Sequence, residues 1–327
     1  MDITRLTADS DPALLEGVVA LANAVSSVDS PWVHDETVVN LKGFLVHGWD
    51  GEPPEAFVGM DGDRAVAKGY VHVSDWDNLD LAWLGVEVHP DRRREGLGSE
   101  MFAHVSKYAA EIGRTKTGTD AWDGTPGVAF ALHHGLTRKS QAINRRQHLA
   151  ELDLDEVRDL YDGAAAAASA YELVRIDGRT PEDLMPAMSE MVASINDAPL
   201  DDLDIEDEVF PPERIRAYEE AQLARGFRMH RIVARHRDSG ELAGHTVVAV
   251  DGARTAIGHQ HDTTVVRAHR GHRLGLFLKA GMNLWLADSE PQLRTVDTWN
   301  AESDDHMIAV NEILRYRWMG RGLEFQP

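Results

Sequence analysis

The hydrophobic pattern of the chain occurs twice in the same order. In the first half, apolar residues at helical spacing precede two Val-rich strand patterns, a turn rich in arginine and glycine, and another helix, at residues 13–26, 65–73, 79–88, 90–98 and 99–112. In the second half, two helices, two strands, a turn and a final helix recur at residues 181–195, 212–225, 242–250, 262–266, 268–275 and up to 287. Helices that alternate with strands predict an α/β or mixed α+β fold.

Equivalent residues of the two halves are separated by a nearly constant number of positions. Arg93 and Arg270 occupy the same place in the two patterns and lie 177 residues apart (93 to 270). Solenoid repeats are about 20–50 residues long, so this offset indicates a duplicated domain. An acidic stretch and an alanine run lie between the halves. We therefore predict an N-terminal domain, an Ala-rich linker and a C-terminal domain at residues 1–160, 161–170 and 171–327.

Composition and charge exclude several classes of protein. Apolar residues make up 43% of the chain and charged residues 27%, which is a globular composition. The net charge of −22 argues against general binding to nucleic acid or to anionic membranes. The absence of cysteine excludes disulfides, Cys-ligated zinc and thiol nucleophiles. The start of the chain does not resemble a signal peptide, and no apolar run reaches the roughly 18 residues of a membrane span. We therefore expect a cytoplasmic protein.

The turn after the strand at 79–88 has the features of an anion-binding site. The strand pattern ends at Pro90, three consecutive arginines follow, and Gly96 and Gly98 open a helix. Glycines at a helix N-terminus let an anion approach the backbone amides and the positive end of the helix dipole. Arginines add charge-assisted hydrogen bonds to phosphate. In so acidic a chain this turn indicates an anionic ligand, and a solvated basic turn is the alternative.

These residues resemble the signature of the GNAT superfamily of acetyl-CoA-dependent N-acetyltransferases. That signature is Gln/Arg-x-x-Gly-x-Gly/Ala after a Val-x-Pro strand end, and Arg93, Gly96 and Gly98 match it, with Val88 and Pro90 in front. The second half repeats the signature less fully.

In the second half, Arg270 and Gly275 match, whereas Arg273 replaces the first glycine and Arg267 replaces the proline. Two such motifs in matching order are similar to the tandem actinobacterial type that includes mycothiol synthase.

The resemblance implies two tandem GNAT folds, each a mixed, splayed central sheet flanked by helices. It implies that an amine attacks the thioester of acetyl-CoA directly, without an acyl-enzyme and without a metal. By resemblance, the donor would be bound in the first half by Val86, Val88, Arg93, Arg94, Gly96, Leu97, Gly98 and Ser99. In the second half it would be bound by Val265, Arg270, Gly271, His272, Arg273 and Gly275.

The catalytic base of the family usually lies on the fourth strand. In the second half His259 and His261 alternate onto one face of that strand, and imidazole titrates near neutral pH. The equivalent stretch of the first half offers Asp80. The two histidines would also suit a metal pair or plain surface positions, but no third ligand is evident nearby, and we predict no metal.

Two further positions bear on the reaction. The tyrosine that protonates the leaving thiolate in the family is replaced by Ala131 in the first half and by Asn311 in the second. The acidic segment at residues 199–208 would attract a cationic acceptor, and a solvated acidic loop is the alternative.

The main hypothesis is an acyl-CoA-dependent N-acyltransferase that transfers an acetyl group to a small, cationic amine, with catalysis in the second half. The alternative is a catalytically decayed protein that binds or senses acyl-CoA. A nucleotide-binding protein is disfavoured, because neither turn has the form Gly-x-x-x-x-Gly-Lys-Ser/Thr.

Overall fold

The chain forms twelve β-strands and nine α-helices, and the computed structural model describes every residue from 1 to 327. The strands are β1 (Asp2–Leu6), β2 (Glu55–Asp61), β3 (Arg64–His72), β4 (Leu81–Val88), β5 (Lys116–Trp122), β6 (Thr137–His148), β7 (Tyr171–Asp177), β8 (Phe227–His236), β9 (Leu242–Asp251), β10 (Ile257–Val265), β11 (Thr295–Ala301) and β12 (Arg317–Gln326). The helices are α1 (Pro12–Asp29), α2 (Val38–His47), α3 (Leu97–Glu111), α4 (Pro126–His133), α5 (Leu154–Ala167), α6 (Met185–Val192), α7 (Pro212–Ala224), α8 (Leu274–Ser289) and α9 (Asp305–Ile313).

Local signals account for where the first two helices begin. The Asp11 carboxylate accepts a hydrogen bond from the Ala13 amide at 2.8 Å, and Pro12 occupies the first helical position of α1, where its missing N–H is not needed. Thr37 caps α2 in the same way by accepting from the Asn40 amide at 3.1 Å. These helices are thus started by their own sequences and then held by burial of one apolar face.

The chain folds into two compact units. Unit 1 comprises residues 1–141, 201–207 and 320–327, and unit 2 comprises residues 142–200 and 208–319.

The sheet of unit 1 has the strand order β1-β2-β3-β4-β5-β12. Neighbours are antiparallel except β4 and β5, which are parallel. Helix α3 buries Met101 and Val105 in one cluster with β3 and β4, while α1 buries Leu15 and Val18 in another with β2 and β3. The core of unit 1 therefore lies in two layers, between the sheet and each of these helices.

The sheet of unit 2 has the order β6-β11-β10-β9-β8-β7, and again only one pair, β10 and β11, is parallel. Helices α5 and α8 share one hydrophobic cluster, so α8 is buried on most of its surface. A β-bulge interrupts the pairing of β10 with β9 between Gln260 and Thr263. The corresponding pair in unit 1, β3 with β4, has no such shift.

The two units divide the chain differently from the predicted boundaries at 1–160, 161–170 and 171–327. The last strand of each sheet comes from the other half of the sequence, β12 in unit 1 and residues 142–148 of β6 in unit 2. The alanine run is part of helix α5, which buries Val157 and Ala164 within unit 2 instead of forming a linker. Strand exchange depends on pairing between distant residues, which the local pattern does not contain.

No helix is both long and apolar enough to cross a membrane.

Candidate active site

The parallel strands β4 and β5 of unit 1 pair only over their first three residues. The register ends at Trp83 and Gly118, and the Thr119 hydroxyl then donates to the Leu84 carbonyl at 2.7 Å. Beyond this point the rest of β4, from Gly85 to Val88, is not paired with β5. The separation leaves a V-shaped opening between β4 and β5.

A cleft of about 600 Å³ occupies this opening. Its walls come from the end of α1, the unpaired part of β4, the following turn, β5 and α4. Ligand pockets commonly measure about 300–1,000 Å³, so the cleft can hold an extended small molecule. Seven of the eight residues predicted to bind the donor in the first half line it, namely Val86, Val88, Arg93, Arg94, Gly96, Gly98 and Ser99. Leu97 is at the start of α3 but is not part of the lining.

The N-terminus of α3 opens onto the cleft. Gly96 caps the helix with a left-handed φ of +86°, and the first intrahelical bond runs from the Glu100 amide to the Gly96 carbonyl. The amides of residues 97–99 therefore precede the helical hydrogen bonds. A Cβ at Gly98 would lie 3.2 Å from the ring of Phe130 and 3.5 Å from Val88. This end of the helix is suited to an anion that approaches the backbone closely.

The arginines of the turn have different roles. Arg93 donates from Nε to the Val88 carbonyl at 3.2 Å and makes a bidentate ion pair with Asp29 at 2.7 and 2.9 Å. Arg92 pairs with Asp61 and Glu95. Arg93 thus ties the turn to β4 and to the end of α1. Arg94 is exposed in the cleft without an ion pair, and its charge is available to a ligand.

Two carboxylates that the sequence analysis did not single out for catalysis line the cleft. Asp120 on β5 accepts a hydrogen bond from Trp83 Nε1 at 3.1 Å, and surrounding protein raises the pKa of its carboxyl, although the side chain remains accessible from the cleft. Glu87 on β4 pairs with Lys68 at 3.1 Å. Aspartate is depleted in strands, so an aspartate inside the strand pattern at 116–122 is the signal that would have identified it.

The predicted histidines of unit 2 lie on β10. His259 is the register partner of Asp297 on β11 and contacts the ring of Phe227 at 6.0 Å between centroids. Burial lowers the pKa of His259, and it lowers the pKa of His261 far below the usual range. His261 lies at the bulge, with Nδ1 2.5 Å from the Tyr218 hydroxyl oxygen. Both histidines are therefore neutral near pH 7.

The turn of unit 2 repeats the backbone of the first. Arg270 donates to the Val265 carbonyl at 3.1 Å and to Asp197 at 2.7 Å, and Arg267 shares that aspartate. Gly271 and Arg273 are left-handed, with φ of +86° and +57°, and Arg273 caps α8.

The remaining predicted residues of this turn have ordinary surroundings. His272 Nδ1 is 3.2 Å from the His269 carbonyl oxygen, and a Cβ at Gly275 would have only Val310 near it, at 3.9 Å. The structure thus groups the predicted donor-binding residues of the second half around the start of α8.

Asp80, the third predicted catalytic residue, lies away from the cleft. It precedes β4 at the end of the strand opposite the opening, and its carboxylate pairs with Lys116 at 3.4 Å. Its carbonyl accepts from the amides of Thr115 and Lys116 at 2.8 Å. These contacts give Asp80 a structural role where the parallel pairing of β4 and β5 begins.

Comparison with known proteins agrees with this geometry. Residues 25–135, which contain the cleft-lining turn, match the model of the acetyltransferase (GNAT) family. These residues are therefore similar to the GNAT acetyltransferase family. No curated protein sequence matches the chain significantly.

Solved structures extend the likeness to the whole chain. A tandem GNAT protein from the clavulanic acid biosynthesis pathway, solved without AcCoA, is 26% identical with a TM-score of 0.83, covering 100% of this chain and 98% of that one. A GCN5-related N-acetyltransferase from Sphaerobacter thermophilus is 15% identical with a TM-score of 0.71, covering 99% and 95%. A structure described as "A Putative Acetyltransferase" from Pyrococcus horikoshii is 14% identical with a TM-score of 0.59, covering 100% and 88%. The chain has the tandem GNAT fold.

The two residues predicted at the position of the family's tyrosine cannot protonate a thiolate. Ala131 is buried on α4. Asn311 on α9 accepts a hydrogen bond from the buried Lys279 ammonium at 2.6 Å. No group of three or more His, Asp or Glu side chains is arranged to hold a metal ion.

Proposed function

We propose that the protein is an acyl-CoA-dependent N-acyltransferase that transfers an acetyl group to a small, cationic amine, and that unit 1 binds the donor. The observation that carries this proposal is the 600 Å³ cleft at the separation of β4 and β5, with the N-terminus of α3 at its edge. The GNAT family match and the tandem GNAT neighbour support the same reaction class.

Successive parts of the cleft would bind the diphosphate, the pantetheine and the thioester of an acyl-CoA. Its diphosphate would bind the amides of residues 97–99 and the free guanidinium of Arg94. Its pantetheine amides would pair with the unpaired edge of β4 from Gly85 to Val88. This path would bring the thioester to the point where the strands diverge, next to Asp120.

We propose that Asp120 is the base of the reaction. The acceptor amine enters as an ammonium ion, and it must lose a proton before its lone pair can attack the thioester carbonyl. Asp120 takes that proton, the N–C bond forms, and the nitrogen loses its second proton to solvent as the C–S bond breaks; the CoA thiolate leaves and is protonated from solvent. Burial raises the pKa of the Asp120 carboxyl, which makes it a stronger base than an ordinary aspartate.

The predicted base in unit 2, His259, stays a competing prediction. His259 and His261 lie beside the bulge in β10, and burial keeps them neutral. This arrangement would also accept a proton from an ammonium, so the location of catalysis has to be measured.

The first test is to combine acetyl-CoA with a panel of amines and to follow release of the free thiol, with calorimetry of acetyl-CoA against ATP in parallel. We expect thiol release with at least one amine and binding of acetyl-CoA but not of ATP. Binding without turnover would favour the sensing alternative, and no binding of acetyl-CoA would contradict both.

The donor site is tested by Arg94→Ala, with Arg138→Ala as the matched control. Arg138 is exposed in unit 1 and bonds only to Gln141, outside the cleft. We expect Arg94→Ala to weaken acetyl-CoA binding by about tenfold, the low end for a charge-assisted hydrogen bond, and the control to leave it unchanged. Equal affinities would remove Arg94 from the donor site.

A further inference from the structure

Two carboxylates face each other across neighbouring strands of unit 1. Asp120 on β5 and Glu324 on β12 are direct partners in the antiparallel register. Side chains at such positions have Cβ atoms about 4.5–5.5 Å apart and lie on the same face. Asp120 lines the cleft, so Glu324 stands beside the same wall, one strand further from β4.

Neither carboxylate is neutralised by a basic side chain. Asp120 has Trp83 as its hydrogen-bond donor, and Glu324 lies against the Ser140 hydroxyl, which donates to Asp201. The same hydroxyl is 3.0 Å from Asp201, a third carboxylate of unit 1 that acts on Glu324. Burial, followed by the charges of Asp120 and Asp201, raises the pKa of Glu324.

Like charges directly opposite each other destabilise a sheet. The basic residues of this region are used elsewhere: Lys68 pairs with Glu87, and Lys116 pairs with Asp80 and Asp204. The face between Asp120 and Glu324 therefore has an excess of negative charge that a bound cation would offset.

Tyr70 gives an independent indication of a ligand in the cleft. Its ring lies against the backbone of Gly85, where a Cβ would be 2.0 Å from the ring. It also packs edge-on against His72, with 4.8 Å between the two ring centroids. The side chain is half-buried and lines the cleft, and its hydroxyl has no hydrogen-bond partner in the protein. This hydroxyl is therefore available to a ligand in the cleft.

Aromatic rings complete the wall. Trp122 lines the cleft and is packed edge-on by Trp32 at 5.2 Å, and Trp83 reaches Asp120 with its indole N–H. Aromatic faces next to carboxylates are favourable surroundings for an ammonium group. Carboxylate pair, free phenol and aromatic wall all suit a cation.

We propose that the acceptor is a short dication, of the α,ω-diamine class, with its reactive nitrogen at Asp120 and a second ammonium held by Glu324. The proposal rests on the proposed acyl transfer in unit 1 and specifies its acceptor. Neighbouring strands are about 4.8 Å apart, so the two nitrogens would be separated by a chain of roughly three to five carbons. Glu324 contacts only the non-reacting end and is a specificity-determining residue, whereas Asp120 removes the proton.

The test compares 1,4-diaminobutane with butylamine, which has the same carbon chain and one nitrogen, in the acetyl-CoA assay. We expect kcat/KM for the diamine to exceed that for the monoamine by about tenfold or more, the usual worth of a charged hydrogen bond. Glu324→Gln should abolish this preference by raising KM for the diamine much more than KM for the monoamine. The matched control is Glu111→Gln, an exposed glutamate of α3 paired only with Lys107.

Equal use of the two amines by the wild-type protein, or an undiminished preference in Glu324→Gln, would overturn the proposal. Glu324→Gln keeps the shape of the side chain and removes one of two repelling charges, so its melting temperature without ligand should be equal to or above that of the wild type. A large drop would show that Glu324 has a structural role and would also count against the proposal.

Calorimetry with 1,4-diaminobutane separates this proposal from the proposed function. If no amine supports thiol release, the acyltransferase proposal fails. Diamine binding that is lost in Glu324→Gln would then still support the dication site, and absence of diamine binding to the wild type would overturn it.

Discussion

The turns that precede α3 and α8 have the same backbone and opposite distributions of glycine. Two positions of each turn are left-handed, Arg94 and Gly96 in unit 1, Gly271 and Arg273 in unit 2. Each turn thus places one glycine and one arginine at these positions, in reversed order. The missing glycine at Arg273, which makes the second motif incomplete in sequence, does not change the conformation of the turn.

Both turns are also held by one arginine, which we call the latch arginine. Arg93 and Arg270 each donate to the carbonyl of the preceding strand and pair with an aspartate, Asp29 or Asp197. Because this arginine is occupied by the protein in both units, its presence in the motif reflects how the turn is held. In unit 1 this leaves Arg94, which has no ion pair, available to a ligand.

The helices that follow the two turns differ in the side chain at one equivalent position. Phe102 on α3 and Lys279 on α8 are 177 positions apart (102 to 279), the offset of the two latch arginines. Phe102 packs against Phe130 and His134, whereas Lys279 is 2% exposed, donates to Asn311 and lies 4.5 Å from the ring of Tyr316. The same backbone therefore supports an aromatic contact beside an open cleft in unit 1 and a buried cation in unit 2.

The largest expected effect separates the two units as sites of chemistry. Asp120→Asn should lower kcat by roughly 10²–10⁴-fold, the usual contribution of a positioned base, and His259→Ala should leave kcat close to that of the wild type. Because desolvation by the surrounding protein raises the pKa of Asp120 above its ordinary 3.8, activity should fall, as the pH is lowered, at a higher pH than for an ordinary aspartate. Pre-steady-state and steady-state rates across pH check this.

The opposite result would contradict this prediction. Normal turnover in Asp120→Asn together with loss of turnover in His259→Ala would place catalysis in unit 2, as the sequence predicts.

The buried lysine of unit 2, Lys279, is expected to make the free energy of unfolding depend on pH. Burial lowers its pKa from 10.5 to about 7, so between these values the unfolded chain binds more protons than the folded one, and stability rises with pH. Lys279→Met lacks this contribution. The stability of the wild type relative to this variant should therefore increase by up to about 1.4 kcal/mol per pH unit above pH 7.

Urea unfolding at pH 7, 8 and 9 measures this difference. Lys107→Met, at an exposed lysine of α3, is the control and should show no such trend. A constant difference between wild type and Lys279→Met would mean that Lys279 is not titrating in this range.

The latches should differ in strength. Arg93 and Asp29 are about one-fifth and one-seventh exposed, and Arg93→Ala leaves that aspartate without its cation, so we expect a loss of about 2 kcal/mol. Arg270 is 45% exposed and Asp197 keeps Arg267, so Arg270→Ala should lose less than about 1 kcal/mol. Denaturant midpoints of the two variants give the comparison, and equal losses would contradict it.

The smallest effects concern the left-handed positions. Gly271→Ala should destabilise and Arg273→Gly should stabilise unit 2 relative to the wild type, each by about 1 kcal/mol, because an L-residue is strained at positive φ. Thermal unfolding of both variants measures this. Stabilisation by Gly271→Ala would show that the turn does not keep this conformation in solution.

Much of the local structure could be predicted because consecutive residues carry it. The helix start at Asp11, the arginine and glycine turn before α3, and the order of elements in the two halves all follow from short-range spacing. The predicted donor-binding segment of the first half lines the cleft for the same reason, since it is one continuous turn.

The candidate base, Asp120, and its proposed partner in acceptor binding, Glu324, could not be found in this way. Asp120 becomes notable only because β4 and β5 separate at Trp83, and Glu324 meets it only because β12 returns from the end of the chain. The acidic segment assigned to the second half likewise contributes residues 201–207 to unit 1.

The duplicated α/β order and the backbone of the two turns follow from local sequence, because helix caps, glycine positions and apolar periodicity act between residues a few positions apart. Which strands complete each sheet, and which carboxylates lie beside the cleft, follows instead from long-range strand pairing. Those outcomes depend on pairing between residues such as Asp120 and Glu324, about two hundred positions apart, whose proximity exists only after the strands have exchanged.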